Sequence, residues 1–224
     1  MPASVVGSVV FLKIADFARR PASEQARLRA QLEAVIAVVT AEVPPANRLV
    51  LDAADGVAVV LLRDPQAALR IGRRALTAAA AGLPLAAGLN HGALQLDGRK
   101  GGEGMTGDGI AVAANIAAFA ESSRLLASRA FHDALAEAAP GREAQLRPAG
   151  TFTDSGLRSH EIFAPDERAV GRRRRRYAAT AFVLALGLLA GGLGWRSHEG
   201  RPAFVDVVTA KYTYLQALVQ RARF

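Results

Sequence analysis

The sequence has no cysteine, so disulfide bridges and thiolate metal sites are excluded. Lysine is nearly absent, at Lys13, Lys100 and Lys211 only. The formal charge is +8, but five of those charges form a single run, Arg172 to Arg176, and without it the remainder carries +3. The high pI is therefore a local feature. No patch of basic residues interleaved with aromatics occurs in the first 165 residues, so no nucleic-acid partner is expected. The four histidines, at 91, 132, 160 and 198, are scattered and do not form a metal-ligand set. His91 reads as a structural histidine at a strand end. No nucleophile elbow occurs, and Gly101-Gly-Glu-Gly104 lacks the Lys-Ser/Thr of a phosphate-binding loop. The N-terminal residues are apolar without a basic leader or a clear cleavage site, and read as a first strand.

The stretch from Gly104 to Ser122 organises what is present. A Gly-Asp-Gly turn runs into an alanine-rich helix, with Asp108 as the expected N-cap. The small side chains allow another backbone to approach closely. A helix start behind a glycine-rich turn is also a place where phosphate binds.

Around it, Val5 to Ile14 reads as a buried strand. A helix follows from Pro21 to about Val43, with Ser23 as its expected cap, and Pro44-Pro45 ends it. Leu49–Ala53 and Val57–Leu62 form a hairpin on the Asp55-Gly56 signal. Asp64-Pro65 opens a second helix, ending near Gly82. Leu85–Leu89 is a strand continued after Gly92, and residues 97–104 form a charged loop. After the central helix come a short strand at 123–127, a helix at 130–138, and two strands, 146–152 and 157–163, around Asp154-Ser-Gly156. The order is β-α-β-β-α-β, then α-β-α-β-β. It predicts an α/β sandwich, a ferredoxin-like βαββαβ unit with additions.

This domain ends near Pro165, and residues 166–176 form a basic linker. Residues 177–195 are nineteen without a charge, flanked by Tyr177 and Trp195, which predicts one transmembrane helix. Seven arginines lie within 20 residues before the span, against two arginines and a lysine after it. That bias places the N-terminal domain in the cytoplasm and the chain in an inner or plasma membrane. Arg172, Arg173, Arg174, Arg175 and Arg176 are expected to meet anionic headgroups. Gly187 and Gly191 are a small-xxx-small pair. Residues 196–224 carry Phe204, Val208, Tyr212, Leu215 and Val219 at amphipathic helical spacing.

Four stretches, in order over residues 5–165, resemble the catalytic domain of class III adenylate/guanylate cyclases. Phe11-Leu-Lys-Ile-Ala-Asp-Phe17 is similar to the family's Phe-x-Asp-Ile-x-Gly-Phe strand end. Ala54-Asp-Gly56 resembles its Gly-Asp-Gly hairpin, and Gly88-Leu-Asn-His-Gly92 its Gly-Leu-His-x-Gly strand. The stretch from Gly104 resembles Gly-Asp-x-Val-Asn-x-Ala-Ala-Arg. The resemblance implies cyclisation of a nucleoside triphosphate by two metal ions held between two aspartates. It also implies a site shared between two protomers, with an asparagine and an arginine from the partner stabilising the transition state.

Laid on this sequence, that machinery is mostly missing. The second metal aspartate matches Asp55, but the first falls on Lys13, and Asp16 lies three residues too late. The asparagine falls on Ala111 and the arginine on Asn115. The purine-selecting lysine falls on Leu51 and its partner near Gly104. An ammonium cannot coordinate a cation, so Lys13 and Asp55 are expected to pair on adjacent strand ends. With both faces of the shared site altered, an active partner should not complete it.

The sequence therefore predicts a membrane-anchored, inactive cyclase-like domain, dimerising with itself or with another cyclase-like domain. It would serve as a regulatory, nucleotide-sensing or scaffolding module, with no cofactor. An active divergent cyclase using Mg or Mn is the second reading. An accessory docking subunit of a membrane complex is the third.

Overall fold

The computed structural model describes residues 4–62, 64–79, 82–97, 104–153 and 158–166. β1 (Ser4–Ile14) is the axis of the sheet. Its run of β-branched and aliphatic residues alternates between two covered faces, so Val9, Val10, Phe11 and Leu12 are all buried. It pairs antiparallel with β3 (Gly56–Leu61) on one side and β4 (Leu85–Asp97) on the other. β2 (Arg48–Ala53) pairs with β3, and β6 (Leu125–Ser128) runs parallel to β4. β8 (Ser159–Pro165) and β7 (Leu146–Thr153) complete the order β2-β3-β1-β4-β6-β8-β7. The short β5 (Gly104–Thr106) folds back onto the end of β4.

α1 (Ala22–Thr40), α2 (Pro65–Ala79) and α4 (Arg129–Ala138) cover one face of the sheet. They bury Leu28, Leu32, Ala68, Ile71, Phe131 and Leu135 against Val10, Leu12, Val59 and Leu89. α3 (Asp108–Phe119) lies on the other face, where Ala113 and Ala117 pack on Val9, Phe11, Ala58 and Val60. Gly88 makes that approach possible: a Cβ there would stand 2.1 Å from the Ala113 carbonyl oxygen. The βαββαβ order and the α/β class expected from the sequence are both present.

Three local readings are corrected. Gly107, with φ 140°, occupies the cap position of α3, and Asp108 is the first helical residue and accepts no capping hydrogen bond. α1 begins after Pro21 without a side-chain cap, so Ser23 is already inside the helix. His91 sits in the middle of β4, because that strand continues unbroken to Asp97. The Asp64 cap is as expected, its Oδ1 accepting from the Ala67 N–H at 2.9 Å. Among the described residues no helix is long and apolar enough to cross a membrane. The predicted span at 177–195, the Arg172–Arg176 run and the C-terminal tail lie outside the described residues.

Candidate functional site

The end of β1 and the β2–β3 turn build the site. Gly56 stands level with Lys13 in the β1–β3 ladder. A Cβ on Gly56 would lie 2.1 Å from the Leu12 carbonyl oxygen, so only glycine lets the turn come this close to β1. The backbone N–H of Ile14 donates to the Asp55 carbonyl at 2.8 Å. The turn thus delivers the Asp55 carboxylate to the Lys13 ammonium, and the two form an ion pair and hydrogen bond. Both side chains are about a third exposed, so the pair is partly screened.

Arg29, on α1, was not singled out by the sequence. Its guanidinium donates to the carbonyls of Ala53 and Ala54 at 3.0 and 2.8 Å and lies over the Phe17 ring at 5.2 Å. It holds the turn from behind. Helical periodicity could place Arg29 on α1, but not aim it at a turn some 25 residues away in sequence.

The metal implied by the resemblance does not fit this arrangement. A divalent cation of that kind needs several hard oxygen donors. Asp55 supplies one carboxylate, already neutralised by an ammonium. Asp16 adopts a left-handed conformation (φ 54°) and pairs with Arg19 at 3.7 Å rather than joining Asp55. Among the described residues no group of three or more metal-ligating side chains forms.

The other expected positions share the α3 face without converging on the pair. Leu51 is level with Ala58 and Phe11, and packs on the apolar cluster under α3. Ala111 is exposed and Asn115 half-buried, on the side of α3 away from Gly109, Ala113 and Ala117. Gly104 opens β5, level with Asp97 at the far end of β4, whereas Lys13 is level with Ala86 near its start. Of these positions, Lys13 and Asp55 are the pair joined by a hydrogen bond among the described residues.

A buried polar group behind α3 was also missed. Ser128 Oγ donates to Asn90 Oδ1 at 2.7 Å, and Asn90 Nδ2 donates to the Gly109 carbonyl at 3.0 Å. Ser128 Oγ also accepts from the Phe131 N–H at 3.0 Å, capping α4. One serine and one asparagine thereby tie β4, β6, α3 and α4 together. Next to Asn90, the His91 ring nitrogen Nδ1 bonds Ser8 Oγ at 2.9 Å. Burial lowers the His91 pKa from its ordinary value, with Glu137 acting in the opposite direction.

This architecture is that of nucleotide cyclase catalytic domains. The chain is similar to an adenylate/guanylate cyclase/hydrolase from Silicibacter pomeroyi, at 15% identity and TM-score 0.56, covering 74% of this chain and 100% of that one. It is similar to the adenylyl cyclase CyaB from P. aeruginosa, at 16% identity and TM-score 0.54, covering 75% and 96%. It is also similar to the non-canonical dimeric guanylyl cyclase domain of a RhoGC fusion protein from the aquatic fungus Blastocladiella emersonii, at 11% identity and TM-score 0.55, covering 73% and 97%. At these identities the likeness is one of fold. No protein-family model matches the sequence, and no curated protein does.

Proposed function

We propose that this chain is a catalytically inactive member of the cyclase fold, held at a membrane and acting as a regulatory, nucleotide-sensing or scaffolding module in signalling. One observation carries the reading: the Lys13 ammonium occupies the Asp55 carboxylate where the resemblance calls for a metal between two carboxylates. The positive charge that a metal would bring is supplied by a fixed side chain, which holds no open coordination position. Ala111 and Asn115 replace the groups that would steady a pentavalent phosphate, which points the same way.

Dimerisation, with itself or with another cyclase-like chain, is part of the proposal. Leu49, Leu51 and Ala53 of β2 are only partly buried on the α3 face, which leaves apolar surface for a second domain. The fungal domain of the same fold is dimeric, in a non-canonical arrangement. Membrane anchoring and a cytoplasmic domain rest on the sequence of residues 172–195.

The test is to incubate the purified full chain in detergent with manganese and each nucleoside triphosphate. No cyclic product is expected. Cyclic product from the wild type that disappears in Asp55→Ala would overturn the proposal.

A further inference from the structure

On the opposite face from Lys13 and Asp55, a pocket opens between α2 and the segment joining α4 to β7. It encloses about 70 Å³, well below the usual size of ligand sites and too small to bury a nucleotide. Its walls bring together three guanidinium groups, Arg70 and Arg73 from α2 and Arg142 from beyond α4. Gln66 and Gln145 add amides, Leu135 supplies apolar floor, and no carboxylate lines it among the described residues.

The charges are unequally satisfied. Arg70 pairs with Asp64 at 3.3 Å, an exposed contact worth little. Arg142 makes no ion pair among the described residues. Arg73 is half-buried and among the described residues donates to neutral oxygens, the Gln145 side chain at 3.0 Å and its carbonyl at 3.3 Å. Burial lowers its pKa, the signature of a cation taken out of water without a counter-charge. The Gln145 contacts fix the guanidinium plane and leave other N–H donors of a five-donor group unassigned.

We propose that this pocket binds a small phosphate-type oxyanion, with Arg73 and Arg142 as its principal donors. Planar, fixed guanidinium groups recognise phosphate oxygens in pairs, and the third arginine adds charge at the mouth. Two sources of that chemistry are open to the chain. One is a free phosphate or phosphorylated small molecule. The other is the phosphate of a lipid headgroup. The backbone N–H of Asp166 donates to the Gln145 carbonyl at 2.8 Å, so the chain passes the rim of this pocket at Asp166, and the predicted span follows in sequence.

The experiment uses the full chain in phosphatidylcholine nanodiscs, with thermal unfolding followed at constant ionic strength. One arm titrates inorganic phosphate against chloride. The second replaces part of the phosphatidylcholine with phosphatidic acid and adds no phosphate. Each arm is run on the wild type and on Arg142→Gln and Arg73→Gln, all of which keep the Arg172–Arg176 run. A ligand at about ten times its Kd should raise the wild-type Tm by about 4 °C. A rise with phosphate that Arg142→Gln removes supports the pocket and assigns a free anion. A rise confined to phosphatidic acid that the same variant removes supports the pocket and assigns the headgroup. If Arg73→Gln has lost the fold, Arg142→Gln decides, since the Arg142 side chain bonds no other group among the described residues. Equal shifts in wild type and Arg142→Gln, or none in either arm, overturn the proposal. Either outcome leaves the reading of the Lys13–Asp55 site untouched, because that reading is tested by cyclic product.

Discussion

Lys13 and Asp55 are 42 residues apart in sequence and joined by an ion pair at the mouth of the sheet. The pair is positioned by backbone, through the bond from Ile14 to the Asp55 carbonyl, and by Arg29 behind the turn. Its chemistry follows from its partners: a carboxylate that faces an ammonium already has its counter-charge and has no need of a metal ion.

That relationship predicts a gain of metal binding. Lys13→Asp removes the ammonium and sets a second carboxylate beside Asp55, where like charges repel unless a cation lies between them. The variant should be less stable than the wild type without metal and should show a manganese-dependent rise in Tm that the wild type lacks. Absence of any such rise would show that the two positions do not converge on one point.

The approach of the turn depends on Gly56. In Gly56→Ala, the new methyl would meet the Leu12 carbonyl, which belongs to the central strand and cannot swing aside. Urea unfolding should register a loss of about 3 kcal/mol, at the upper end for overpacking by one methyl. A loss under about 1 kcal/mol would mean that the β1–β3 ladder opens more easily than its geometry implies.

Ser128 serves two partners at once. Ser128→Ala removes the cap of α4 and leaves the buried Asn90 oxygen without its donor. The expected destabilisation is about 2 kcal/mol in chemical denaturation, from a lost cap and an unsatisfied acceptor together. The double variant with Asn90→Leu should lose less than the sum of the two single losses, because both remove the same hydrogen bond, yet stay below the wild type, because the Gly109 carbonyl on α3 loses its donor.

His91 predicts a pH dependence. Its pKa in the folded state is depressed by burial, so the unfolded chain takes up its proton first as the pH falls. The contribution to stability is therefore complete above the ordinary histidine value of about 6.5 and is lost progressively below it, until the folded pKa is passed. Denaturant midpoints measured from pH 8 to pH 5 should fall in the wild type. His91→Gln should flatten that part of the curve, and an unchanged slope would assign the dependence to other groups.

The arrangement of strands and helices was legible because the hydrophobic periodicities are local and strong. Val5–Ile14, the Asp55-Gly56 hairpin signal and the Asp64-Pro65 helix start each state their structure within a few residues. The misreadings came where a longer-range partner decided. Asp108 looked like a cap by composition, but Gly107 takes the cap position as the chain turns out of β5. His91 looked like a strand end because Gly92 follows it, yet pairing with β1 carries β4 on to Asp97.

For the candidate site, sequence alone settled which groups are present: a lysine and an aspartate where two aspartates were expected, with alanine and asparagine on the central helix. That expectation comes through the resemblance, whose ordered motifs set the register of each position. The Lys13–Asp55 pair was itself expected from the sequence, and the tertiary structure shows what brings the two together. Lys13 and Asp55 touch because a glycine permits two strands to close, whereas Gly104 lies level with the far end of β4. The tertiary structure alone also revealed Arg29, the Ser128–Asn90 pair and the three-arginine pocket. Each joins residues from separate elements, and contacts of that kind depend on how helices and strands pack rather than on any pattern within one of them.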